Sequence, residues 1–150
     1  MKEPSCETRE PPSAELQRLW FATLKREWSS LVVVPAHPGG AALAVGRGLA
    51  QVAALHKDGA VKLIAVEGAD LQSASRLIIE MTAHVAAGGV AIVVLESVVG
   101  NPAGIPIALA ADAALLCVRL GEADLESAER TVELIGAERI IGAVALDAKG

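Results

Sequence analysis

The stretch 31–50, "LVVVPAHPGGAALAVGRGLA", carries the pattern nearest to chemistry in this chain. An apolar, β-branched run enters a Pro/Gly turn and continues into a helix-like segment. A phosphate-binding loop is built in that order, because backbone N–H groups at a helix N-terminus face the anion and the helix dipole favours its charge. Such a loop also needs a lysine for charge and a Ser or Thr hydroxyl for Mg²⁺. Neither type occurs between Pro35 and Ala50. Gly39 and Gly40 still allow close backbone approach, so residual anion binding by the loop 35–42 stands beside a plain structural turn. "GRG" at 46–48 hints at a dinucleotide G-x-G-x-x-G. Its third position is Gln51, however, and it lies too far from the strand. Two glycines inside a helix weaken it by about 1 kcal/mol each, and close helix–sheet packing is the alternative use for them.

Other residues have chemistry but less context. His37 lies in the same loop, either as a solvated histidine or as a phosphate or partner contact. Glu96 follows an apolar run, where strand-end carboxylates serve as general bases, but no nucleophile, lysine or second histidine has an assured place beside it. Asp70 either caps a helix beginning near Leu71 or does chemistry. His56 and His84 are expected on helix surfaces. Cys6 and Cys117 lie far apart without metal-ligand spacing, so no disulfide or metal site is expected, and Cys117 reads as core.

The elements that must position these groups alternate. Residues 1–12 are polar, with Pro4, Pro11 and Pro12, and are expected to form a flexible leader. Residues 13–150 are expected to form a single domain. Ser13 is a candidate N-cap for a helix over 14–28, in which Leu16, Leu19, Trp20 and Leu24 recur at helical spacing. Strands are expected at 31–34, 61–66, 90–95, 113–118 and 139–146. Helices are expected from the Pro/Gly turn to about His56, after residue 70, near 105–111 and over 124–135. The second of these places Leu71, Ala74, Ile78, Met81 and Val85 on one face, and the last places Leu125, Ala128, Val132 and Ile135 inward. Continuously apolar strands separated by helices predict a three-layer, doubly wound, mainly parallel sheet of about five or more strands. Its ligand edge lies at the strands' carboxyl ends.

Composition narrows the classes. Of 150 residues 53% are hydrophobic and only 2% aromatic, so the core is built of Ala, Val, Leu and Ile. The absence of Tyr excludes a tyrosine-phosphorylated tail, and a net charge of −5 argues against a phosphate-backbone binder. No secretory signal or membrane-spanning stretch is visible. Two unpaired cysteines fit a reducing, cytoplasmic setting.

The segment "ADAALLCVRLGEADLESAERTVELIGAERIIGAVALD" (111–147) resembles the "ADGVLLVVR…(helix)…GARVLGVVLN" block of the bacterial tyrosine kinase and MinD/ParA branch of P-loop ATPases, which includes polysaccharide-biosynthesis ATPases. In the opening stretch Pro38 and Gly39 match the start of that family's "PGEGKST" loop, and Leu49 and Ala50 match the "NLA" that follows. "ELQRLWFATL" (15–24) is similar to the family's "E-x-x-R-x-L-x-x-x-L" helix, so the likeness spans about residues 14–147. Position by position, the resemblance implies a nucleotide site with its handles removed. Ala42 stands at the phosphate-binding lysine, Leu43 at the Mg²⁺-binding hydroxyl, and Ala41 at the glycine before the lysine, with Gly40 beside it in the loop. Asp70 and Leu71 match the family's "VDADLR", while Gly68 replaces its catalytic Asp. Glu96 stands where a metal-linked Asp belongs, and Asp147 where an Asn reads adenine. Phosphoryl transfer rests on positioning and charge stabilisation, and Leu43 offers Mg²⁺ no oxygen ligand.

The resemblance therefore implies a P-loop NTPase-like fold with a degenerate site and no ATPase or kinase activity. The expected role is a bacterial, cytoplasmic pseudo-ATPase acting through protein contacts, in polysaccharide synthesis or export or in ParA/MinD-like positioning. No cofactor, nucleic acid or direct membrane insertion is expected, whereas a protein partner, including a membrane protein, or self-association is. The alternative is a regulator that holds ATP or ADP weakly without hydrolysis, and a third class is a small-molecule enzyme using Glu96, Asp70 and His37. Interface candidates are Glu15, Arg18, Trp20 and Phe21. In the family, an "E-x-x-R-x-x-R" motif on this helix takes part in ring assembly, and Phe21 replaces its last Arg. The bland alternative is that the helix packs its Trp residues onto the sheet.

Overall fold

Five short apolar runs become five strands because each can bury both faces between helices. The computed structural model describes residues 14–37, 42–57, 59–119 and 124–146. In chain order the elements are α1 (Ala14–Thr23), β1 (Ser30–Pro35), α2 (Ala42–His56), β2 (Val61–Ala65), α3 (Leu71–Ala86), β3 (Val90–Val94), α4 (Gly104–Ala110), β4 (Ala113–Arg119), α5 (Asp124–Ile135), a 3₁₀ turn (Ala137–Arg139) and β5 (Ile140–Leu146). The strands form one parallel sheet in the order β2-β3-β1-β4-β5. The leader, Ser13, Pro38, Gly39, Gly40, Ala41 and Asp147 lie outside the described residues.

The pleat sorts the core into two layers. Leu31, Val33, Ile92, Val94 and Leu115 point to the side covered by α1 and α2. Val32, Val34, Ala91, Val93 and Ala114 point to the side covered by α3, α4 and the end of α5. The result is a three-layer α/β domain. The connection β1 to β2 runs over one face in one direction, and the other three run over the opposite face in the reverse direction. All four crossovers therefore share one hand, as expected of parallel strands.

Several sequence expectations are corrected. The first helix ends at Thr23 rather than reaching residue 28. Thr23 Oγ1 donates back to Trp20 O at 2.7 Å, and the chain then turns so that Trp28 packs edge-to-face on Trp20, ring centroids 5.7 Å apart. Burying a second indole is worth more than another helical turn of Lys25, Arg26 and Glu27. Leu71 and Leu125 were expected inward and are 69% and 71% exposed. Both sit in the first turn of their helices, past the strands' carboxyl ends. Leu24, just beyond α1, is 44% exposed.

The two glycines of "GRG" are packing residues. A Cβ on Gly46 would strike Val94 on the sheet, and one on Gly48 would lie 2.7 Å from Leu16 of α1. Helix α2 can therefore sit close to both layers only because neither position has a side chain. His56, at the end of α2, is exposed and stacks on the Trp20 ring. His84 is half-buried, its Nε2 2.9 Å from Ala60 O.

The amino end of the sheet is tied by polar groups. Asp112 Oδ2 accepts from the N–H groups of Ser29 (2.8 Å) and Ser30 (3.2 Å). The Asp112 N–H donates to Ser30 Oγ at 2.8 Å. Arg26 donates to the carbonyls of Asp112 and Glu138, and Arg139 to that of Ala111.

Candidate functional site

The loop after β1 leads over one face of the sheet and the loop after the adjacent β3 leads over the other. This is a topological switch point, where open α/β sheets form their ligand crevices. A cleft of about 480 Å³ opens there. Its walls come from the end of β1 (Pro35), the start of α2 (Ala42, Leu43), the segment just after β2 (Val66, Glu67) and the segment after β3 (Glu96, Ser97, Asn101).

Ala42, Leu43 and Glu96 thus meet in one cleft. Ala42 is buried and Leu43 half-buried. Among the described residues lining it there is no lysine or arginine, and the two charged ones, Glu67 and Glu96, are acidic. Asp70 and His37 are not among its described lining residues.

Glu96 is held as a tie between two loops. Its Oε1 accepts from Asn101 Nδ2 at 2.9 Å and its Oε2 from the Gly68 N–H at 3.0 Å. The Asn101 amide also donates to Ala69 O, and its Oδ1 accepts from the Ala103 N–H. Gly68 presents its N–H from a left-handed conformation, φ 63°, which only glycine adopts without strain. The hydrogen bond from Asn101, followed by that from Gly68, keeps the Glu96 carboxyl below its ordinary range. A carboxylate so stabilised is a poor proton acceptor, so the general-base role is not what its surroundings favour.

Asp70 takes the capping alternative. Its carboxylate accepts from the Ser73 N–H at 2.8 Å while Ser73 Oγ accepts from the Asp70 N–H at 3.0 Å, a reciprocal cap at the start of α3. The Ser73 backbone bond, then its side-chain bond, lower the Asp70 carboxyl from its usual value. Cys117 is buried on β4, and desolvation pushes its thiol up to about 12. It is an inert core residue at neutral pH.

Of the interface candidates, Trp20 is 1% exposed and belongs to the core, the packing alternative for this helix. Glu15 and Arg18 are exposed, and Phe21 is 55% exposed with its edge on the His56 ring. Sequence reasoning missed Asn101 and Asp112. Asn101 sits five residues after Glu96 in a Pro/Gly loop, a place where a side-chain amide reads as solvated. Asp112 immediately precedes a strand, which was the available signal.

Among the described residues no group of three or more His, Cys, Asp or Glu side chains is placed to hold a metal, and no helix is long and apolar enough to cross a membrane. Comparison with known proteins gives a fold and no family. No family model and no curated protein match the chain. Among solved structures it is similar to the chimerical protein CapA2B2, at TM-score 0.66 and 12% identity, over 94% of this chain and 86% of that one. At that identity the likeness concerns the fold alone.

Proposed function

We propose that this chain is a P-loop ATPase-like domain that has lost its ATPase motifs and acts through protein–protein contacts. The observation that carries this is the wall of the switch-point cleft. Ala42 and Leu43 occupy the positions that the resemblance assigns to the lysine and the Mg²⁺-binding hydroxyl, and the described charges beside them are both acidic. Two carboxylates with no described cation disfavour a polyphosphate, and Leu43 gives a metal no ligand. The fold shared with CapA2B2 supports the frame. The resemblance over 14–147 directs the contacts to bacterial polysaccharide synthesis or export, or to ParA/MinD-like positioning, with a membrane-protein partner fitting the first. Phe21, with Glu15 and Arg18 on the same helix, offers an exposed contact surface.

The size of the cleft favours a second reading, weak nucleotide binding without hydrolysis, because about 480 Å³ is within the range of small-ligand sites. The double substitution Ala42→Lys, Leu43→Ser addresses the frame. A variant that gains Mg²⁺-dependent ATP affinity absent from the wild type supports a disarmed phosphate loop. A folded variant indistinguishable from the wild type overturns the P-loop assignment of this turn.

A further inference from the structure

Strand β2 ends the sheet on one side, and its outer edge has no strand partner among the described residues. The hydrogen bonds to β3 show which of its backbone groups remain open. The Val66 N–H donates to Val94 O at 2.9 Å, and Ala60 O accepts from the Val90 N–H at 2.8 Å. Residues of a parallel strand alternate in the neighbour they bond. With the register running from Val61↔Val90 to Ala65↔Val94, Lys62 and Ile64 complete the row toward β3. Val61, Leu63 and Ala65 therefore turn their N–H and C=O groups away from the sheet.

Beside the carboxyl end of that edge lies a groove of about 400 Å³. Its far wall is Ser73, Arg76, Leu77 and Glu80, one face of α3, and Ala65 and Ala69 contribute apolar surface. The charges along it are unevenly used. Glu80 is paired with Lys62, whereas Arg76 is exposed and, among the described residues, makes no ion pair within 4 Å, its charge being felt only at longer range by Asp70. Glu67 lines the strand side, so an incoming carboxylate is directed to the helix wall.

A row of open donors and acceptors at two-residue spacing is complementary to another extended backbone and to little else. An edge strand flanked by a helix-walled groove is the arrangement used for strand addition, where main-chain bonds supply affinity and side-chain pockets select sequence. We infer that an extended segment of a partner protein adds to the sheet beside β2. Its backbone pairs with Val61, Leu63 and Ala65, an apolar side chain enters the groove against Leu77, and an acidic side chain meets Arg76. This names a contact surface for the protein-contact role and rests on it.

The test uses the full chain and the synthetic heptapeptide Thr-Val-Thr-Glu-Thr-Val-Thr, whose valine and glutamate side chains share one face of an extended strand, followed by backbone amide resonances. Shifts centred on Val61, Leu63 and Ala65 are expected. Methylating alternate peptide nitrogens, which keeps the side chains and removes backbone donors, should weaken binding about tenfold. The exposed substitution Arg76→Ala should also weaken it about tenfold. An absence of shifts at about 1 mM peptide, or equal binding of the methylated peptide, overturns the inference. Concentration-dependent self-association that shifts the same three amides without peptide also overturns it, in favour of a second copy as occupant. Nucleotide titration is a separate readout, so failure of the groove and failure of the pseudo-ATPase reading are distinguishable.

Discussion

At the amino end of the sheet, Asp112, Ser30, Arg26 and Arg139 bond backbone groups of neighbouring segments and draw them together. At the carboxyl end, Glu96, Asn101 and Asp70 are spent in the same way, on Gly68, Ala69 and Ser73, yet a cleft remains above them. The cleft follows from topology: two adjacent strands send their connections over opposite faces, and the loops part. Chemistry has to be added to it by side chains, and Ala42, Leu43 and Val66 add none. A ligand-shaped space in a doubly wound fold is therefore weak evidence for a ligand, whereas the charge along its wall is informative.

The largest expected effect falls at the amino end. Trp20 is buried against Trp28 and under His56, so Trp20→Ala should cost about 3–5 kcal/mol in urea denaturation. A well-folded variant whose only change is in assembly would return Trp20 to the interface. Next is Asp112→Ala, which removes one acceptor from two backbone donors. A loss of about 1–3 kcal/mol is expected, and a negligible loss would break the claim that this end is tied by side chains.

Glu96→Gln sharpens the contrast from the other end. A glutamine can accept from only one of the two donors, so a loss of about 1 kcal/mol is expected, with faster amide exchange at Gly68. Enzyme turnover abolished by this substitution would instead revive a catalytic Glu96.

The smallest effect is in pH. The folded state lowers Asp70 and Glu96 from ordinary values of 3.8 and 4.5. Their contribution is therefore fully present above those values and is lost as pH falls through the lower folded ones. Acid denaturation of Asp70→Asn, Glu96→Gln should begin from lower stability and fall less steeply below pH 4.5 than the wild type. An unchanged slope would contradict the assigned hydrogen bonds.

Much of the frame was legible in the sequence. Runs such as "LVVV" and "VAIVVL" are apolar on both faces and have one stable use, as buried parallel strands, and all five appear within a residue or two. The strand order was not legible, because it depends on which face each helix covers. The overlong first helix and the outward Leu71 and Leu125 share a cause: periodicity reports which residues are apolar, not where the sheet beneath them ends. For the site, the sequence shows directly that the positions lining the cleft at the start of α2, Ala42 and Leu43, carry neither a charge nor a hydroxyl. The employment of Glu96 was hidden, since it depends on Asn101 and a left-handed Gly68 that only the folded loops bring together.

If the proposed loss of the ATPase motifs is right, the switch-point cleft binds no nucleotide. Calorimetric titration of the wild-type chain with ATP, ADP and GTP, each with and without Mg²⁺, tests it most directly. The account predicts no saturable heat with any of the six. Micromolar affinity that requires Mg²⁺ would contradict it.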